Sequence, residues 1–227
     1  MMGLLVRLRL YLKLWFTSFY TIVMMLFIPV VGVLLYNSGS YTIEDASSII
    51  YEKAAPIWFI FILQWCFSID MDSKFYSLVV TYPISRWRFI MERVLFSVLV
   101  FVSLLAIVTV SLMPIMGAFA WQSFLFTMPV YIAIAGFAVV GTVMINHSLG
   151  GLLAGIIIWV FFVFGATFLG NLNVILLKYG SVYTFVNGET GFFDDINRWI
   201  LYNRLFYMMI GILLTGLAIL QFNRKTT

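Results

Sequence analysis

The sequence predicts an all-α membrane protein of six transmembrane helices. An interfacial helix precedes the first, a charged cytoplasmic helix joins the second and third, and a partly re-entrant outer segment precedes the sixth. Three observations predict this. Hydrophobic residues make up 63% of the 227 and charged residues only 10%, against about 25% charged in soluble domains; a soluble globule this apolar would expose patches large enough to aggregate. The apolar runs are long and do not alternate with period two, as barrel strands do. A helix also satisfies its own backbone polar groups in hydrocarbon.

Spanning the bilayer takes about 20 apolar residues. The candidates are 17–36, 55–69, 94–116, 124–145, 149–169 and 205–222, all within a single domain, 1–227. The second is short, so it extends into its flanks or begins at Pro56, a residue tolerated in a first helical turn. Pro29, Pro114 and Pro129 fall in or near other spans and are expected to kink them. Residues 1–16 carry Arg7, Arg9 and Lys13 among leucines; they read as a helix lying on the inner leaflet or as the basic end of the first span. Segment 170–204 mixes Asn171, Asn173, Gly188 and Asp194 with an apolar run at 174–177. It is too polar to cross and too apolar for a solvated loop, which suits a re-entrant or surface-lying hairpin.

Lys and Arg set the orientation. With the N-terminus inside, the inner segments hold nine of the thirteen and the outer segments four. The expectation is a multi-pass protein of the cell membrane with both termini cytoplasmic. Positive charge therefore serves as a topology signal, and no nucleic-acid partner is implied. Cys66, the single cysteine, reads as a small core hydrophobe. One histidine, His147, cannot supply a zinc site that needs three or four ligands; it reads as a polar cap, and Ser148 lacks the setting of a nucleophile elbow. The polar residues assigned to spans, such as Gln64, Thr109 and Thr142, carry no charge, which argues against an ion-coupled pump. Asp70 reads as a solvated cap. Gly151 and Gly155 have the spacing that lets helices approach closely, either between copies or within the chain.

The charged stretch 70–93 stands out. It holds Lys74, Arg86, Arg88 and Arg93 beside Asp72 and Glu92. Asp72 or Ser73 can cap a short helix over 74–80, Pro83 should end it, and Ser85 can cap a helix running into the third span. Phe75, Leu78 and Tyr82 would give the short helix an apolar face with charged edges, suited to docking into a groove or to resting on headgroups.

This stretch, with Thr81-Tyr-Pro-Ile-Ser-Arg86 at its centre, resembles the segment between the second and third spans of ABC-2-type transporter permeases. The closing pattern Asn203-Arg-Leu-Phe-Tyr207 through Gln221-Phe-Asn-Arg-Lys225 is similar to that family's as well. The resemblance implies a permease subunit of an ATP-driven exporter of hydrophobic or amphipathic cargo, paired with a second permease, identical or homologous, in the lipid bilayer. Two copies of a separate ATPase would carry ATP and magnesium. Asp72, Phe75, Leu78, Tyr82, Pro83 and Arg86 would lie in or beside the helix that docks into the ATPase. The chain has no Walker A pattern, so it is expected to be no enzyme by itself and to hold no cofactor. A stand-alone secondary carrier and a non-transporting immunity or sensor protein remain as alternatives.

Overall fold

The computed structural model describes residues 41–72, 86–191, 194–195 and 197–225, with positions 9, 10, 12–15, 17, 23 and 30. All regular elements among them are helical. Among the described residues, four helices are long and apolar enough to cross a membrane, and they make this a membrane-embedded architecture.

Helix α1, Ile43–Met71, is 29 residues long, about twice the sequence expectation of 55–69. Thr42 caps it by accepting the Asp45 amide at 3.2 Å, and Glu44 and Asp45 suit the positive end of the helix dipole. Of the two readings, extension into the flanks is what the structure shows, and the extension takes in Glu52, Lys53 and Pro56. The chain accommodates them with a π-helical turn, Ser48–Ala54. Pro56 follows that wide turn directly, and the helix continues through it.

Helices α2 (Arg86–Met116) and α3 (Phe119–Ile145) contain Pro114 and Pro129 without ending there. Asn146 closes α3 in the left-handed conformation, φ 56°, which asparagine tolerates. His147 then caps α4, Ser148–Phe164. Helix α4 is 17 residues, a rise of about 25 Å, and Gly165 breaks it before α5, Ala166–Leu169. The expected unbroken span 149–169 is thus shorter. After a 3-10 turn, Gly170–Leu172, the chain runs irregularly to α6, Gly180–Val186, and turns lead into α7, Arg198–Lys225.

The core lies where α1, α2 and α3 meet. Phe59 stacks on Phe101 at 4.4 Å, and Tyr131 meets Phe101 edge-on at 4.9 Å. Helix α7 closes on α3 through two glycines: a Cβ on Gly136 would stand 2.6 Å from the Gly211 carbonyl oxygen. The outward rows of α4 and α7, including Leu153, Ile157, Met209 and Leu213, are exposed and apolar. Phe89 of α2 stacks on Phe222 of α7 at 6.0 Å. That fixes one end of the bundle, where α1 ends and α2 begins; segment 166–197 occupies the other end. All of the first expected span, 17–36, but positions 17, 23 and 30, and most of the N-terminal segment 1–16, lie outside the described residues.

Candidate functional site

Two polar constellations stand at opposite ends of the bundle. The first sits at the roots of the charged segment. Asp70, expected to be a solvated cap, is buried, and its Oδ2 lies 2.5 Å from Nε of buried Arg93. An ion pair joins the last turn of α1 to the first turns of α2, which explains why two charges tolerate burial there.

Asp72 is the next link. The Ser148 amide donates to its Oδ1 at 2.8 Å, and the Ser148 hydroxyl donates to its Oδ2. Gln64 of α1 donates to the same hydroxyl at 3.2 Å. Asp72 therefore caps α4, where a carboxylate meets free amides and the positive helix end; the helix expected over 74–80 lies outside the described residues. His147 lies 3.2 Å from Asp72 and accepts the Leu149 amide at 3.2 Å, the capping role expected of it. Ser148, Asp72 and His147 are neighbours in the wrong order for a nucleophile, since Asp72 binds the serine directly and the imidazole does not stand between them.

Of the other coupling residues, Phe75, Leu78, Tyr82 and Pro83 lie outside the described residues, and Arg86 opens α2. Gly151 and Gly155 face neighbours in the same chain. A Cβ on Gly151 would stand 2.7 Å from the Ala138 carbonyl oxygen, and one on Gly155 would stand 2.8 Å from Cγ2 of Ile60.

The second constellation was not anticipated. Glu52 of α1 and Arg204 of α7, both expected in outer segments, are buried and joined at 2.8 Å. Glu52 also accepts the Leu176 and Leu177 amides at 2.9–3.2 Å and the Ser48 hydroxyl at 3.0 Å. Arg204 donates to the Val174 carbonyl at 3.2 Å and lies 4.0 Å over the Phe126 ring, a cation–π contact. Asn203 donates to the carbonyls of Asn171 and Asn173 at 2.8 Å each, and the Tyr207 hydroxyl donates to that of Leu172. The backbone of 171–177 thus finds its partners in side chains of α1 and α7, as buried backbone polar groups must.

The π turn of α1 is gripped from outside too. Tyr131 donates to the Tyr51 carbonyl at 2.6 Å and Trp159 to that of Lys53 at 2.8 Å. These four buried charges overturn the expectation that no charged residue lies within a span. Counting charge against a span misses them because each is neutralised by a partner far away in sequence. The one available signal was Asn203-Arg204 set between apolar residues at the start of a span.

No group of three or more metal-ligating side chains occurs among the described residues. Comparisons with protein-family models, curated proteins and solved structures find no match to this chain.

Proposed function

We propose that this chain is the permease subunit of an ATP-driven exporter, with six spans, both termini cytoplasmic, and 72–86 as the element that docks into a separate ATPase. The observation that carries the reading is the anchoring of that segment. Its roots are tied to three helices at once: Asp70 links α1 to α2, and Asp72 links the end of α1 to the start of α4. A push on such a segment is delivered to the bundle rather than absorbed by a slack loop. The absence of a Walker A pattern in the sequence agrees with hydrolysis by a partner. The apolar interior suits hydrophobic or amphipathic cargo, and a second permease, identical or homologous, completes the path.

Co-purification tests the proposal. The tagged chain, extracted in mild detergent, should bring an ATPase subunit with it, and transport in vesicles should require both. Recovery of the chain without any nucleotide-binding partner, from cells where it is active, sinks the reading.

The Glu52–Arg204 pair favours a second reading, an ion-coupled carrier, since buried charge marks such proteins. Glu52, however, is engaged by an arginine, two amides and a hydroxyl, which suits a fixed acceptor better than a proton carrier. Cargo uptake driven by an ion gradient alone would select the carrier.

A further inference from the structure

We propose that the Glu52–Arg204 pair is a latch: it fastens segment 171–179 as a strap across α1 and α7, and the strap comes free as one unit when those helices part. The inference rests on the chain being a transporter, but not on an ATPase partner.

Four features carry it. First, α1 and α7 each pack on α3 and share few contacts of their own, so the ion pair and the strap are their principal link. Second, the polar bonds of the strap divide between the two helices: its amides at 176 and 177 go to α1, and its carbonyls at 171–174 go to α7. Separation of the helices breaks one set or the other together. Third, glycines stand at both ends of the strap. Gly170 has φ 51°, and added side chains at Gly170 or Gly180 would meet nothing within 4 Å, so no neighbour packs closely on the backbone at either end. Fourth, Glu52 sits in the π turn, a feature that recurs at functional sites and that offers a second helical register, the ordinary α turn. Returning to it would rotate Glu52 away from the strap.

Apolar packing alone would cover the bundle end without the desolvation cost of two buried charges. A charge pair adds sensitivity to distance and direction. Val174 of the strap belongs to one apolar cluster with Ile60, Val130, Phe162 and Tyr207. Lifting the strap uncovers an apolar wall between helices, the chemistry that would receive a hydrophobic or amphipathic cargo.

The test uses the full chain in nanodiscs, where both faces meet the reagent and topology plays no part. Cys66 is buried and is replaced by alanine. A Leu177→Cys reporter, whose parent residue is fully buried, is then treated with a water-soluble maleimide, with and without Glu52→Gln. Labelling should accelerate at least tenfold with Glu52→Gln, while a Leu112→Cys reporter in the core stays protected. Equal rates at 177 overturn the latch, because packing alone then holds the strap. Labelling at 112 as well overturns it too, because the pair then merely holds the bundle together. Should Glu52→Gln yield no folded protein, hydrogen exchange of the unaltered chain decides. The Leu176 and Leu177 amides should exchange together, at least a hundredfold faster than those of α3; exchange as slow as α3 rejects a strap that opens. Either outcome leaves the ATPase question to co-purification.

Discussion

At the scale of single residues, the two arginines of the 198–204 stretch illustrate how burial sets the worth of a charge. Arg198 pairs with Asp195 at 3.0 Å, but both are largely exposed; such pairs contribute about 0–1 kcal/mol. Arg204 pairs with Glu52 at nearly the same distance and both are buried. Removing one partner of a buried pair costs about 3–5 kcal/mol, because a charge is left without compensation. Arg204→Met should therefore lower the thermal midpoint in detergent substantially, Arg204→Lys by less since it keeps the charge but not the planar fork, and Arg198→Met hardly at all. Equal midpoints for Arg204→Met and the parent chain would show that the pair does not stabilise the fold. The sequence made His147 legible as a cap, because a short polar break, 146–148, between two apolar runs has little else to do. Asp70 and Glu52 were not legible, since the partners that make their burial tolerable lie 23 and 152 residues away.

At the scale of elements, the apolar runs that form α2, α3 and α7 announce themselves by length; their C-terminal ends fall within three residues of expectation, while each helix starts five to eight residues earlier, in more polar sequence. Helix α1 shows the physical limit. Its first third is polar enough to read as loop, and partners on the strap, α7, α3 and α4 are what make it interior. Helix packing shows the same limit. The Gly151 and Gly155 spacing was visible as a contact motif, but not its side, which proves to be α3 and α1 of the same chain. The α3–α7 crossing rests on Gly136 and Gly211, which are five residues from the next glycines on their helices, Gly141 and Gly216, and so lack the four-residue spacing of a contact motif. A side chain on Gly211 would run into the Ile132 backbone, which cannot move like a flexible side-chain tip. Overpacking of this kind costs about 1–3 kcal/mol. Gly211→Val should destabilise the chain by that order in thermal melts, whereas Gly216→Val, where an added Cβ meets nothing within 4 Å, should be silent. Comparable losses from both would mean that helix propensity, not the crossing, dominates.

At the scale of the whole molecule, the two buried pairs divide the work between the ends of the bundle. Asp70–Arg93 and the Asp72 cap stiffen the roots of 72–86, while Glu52–Arg204 ties the opposite end. Helix α1 carries a member of each pair and is the rod between them. If force enters at 72–86, its apolar positions are where a partner grips, and Leu78→Glu or Tyr82→Glu should leave insertion and ATPase activity intact while reducing transport at least tenfold. Undiminished transport in both variants removes the docking surface from the reading. Charge predicts the direction of that rod in the membrane: with both termini on the side that carries 70–93, nine of the thirteen Lys and Arg fall on that side. Positive residues resist translocation, so that end should face the cytoplasm and the strap should face outward. In intact cells, a cysteine at Glu189, an exposed position in the turn after α6, should react with a membrane-impermeant maleimide. A cysteine at Lys74 should react only after permeabilisation. The opposite pattern would invert the bundle, placing 72–86 outside the cell, where no cytoplasmic ATPase could bind it.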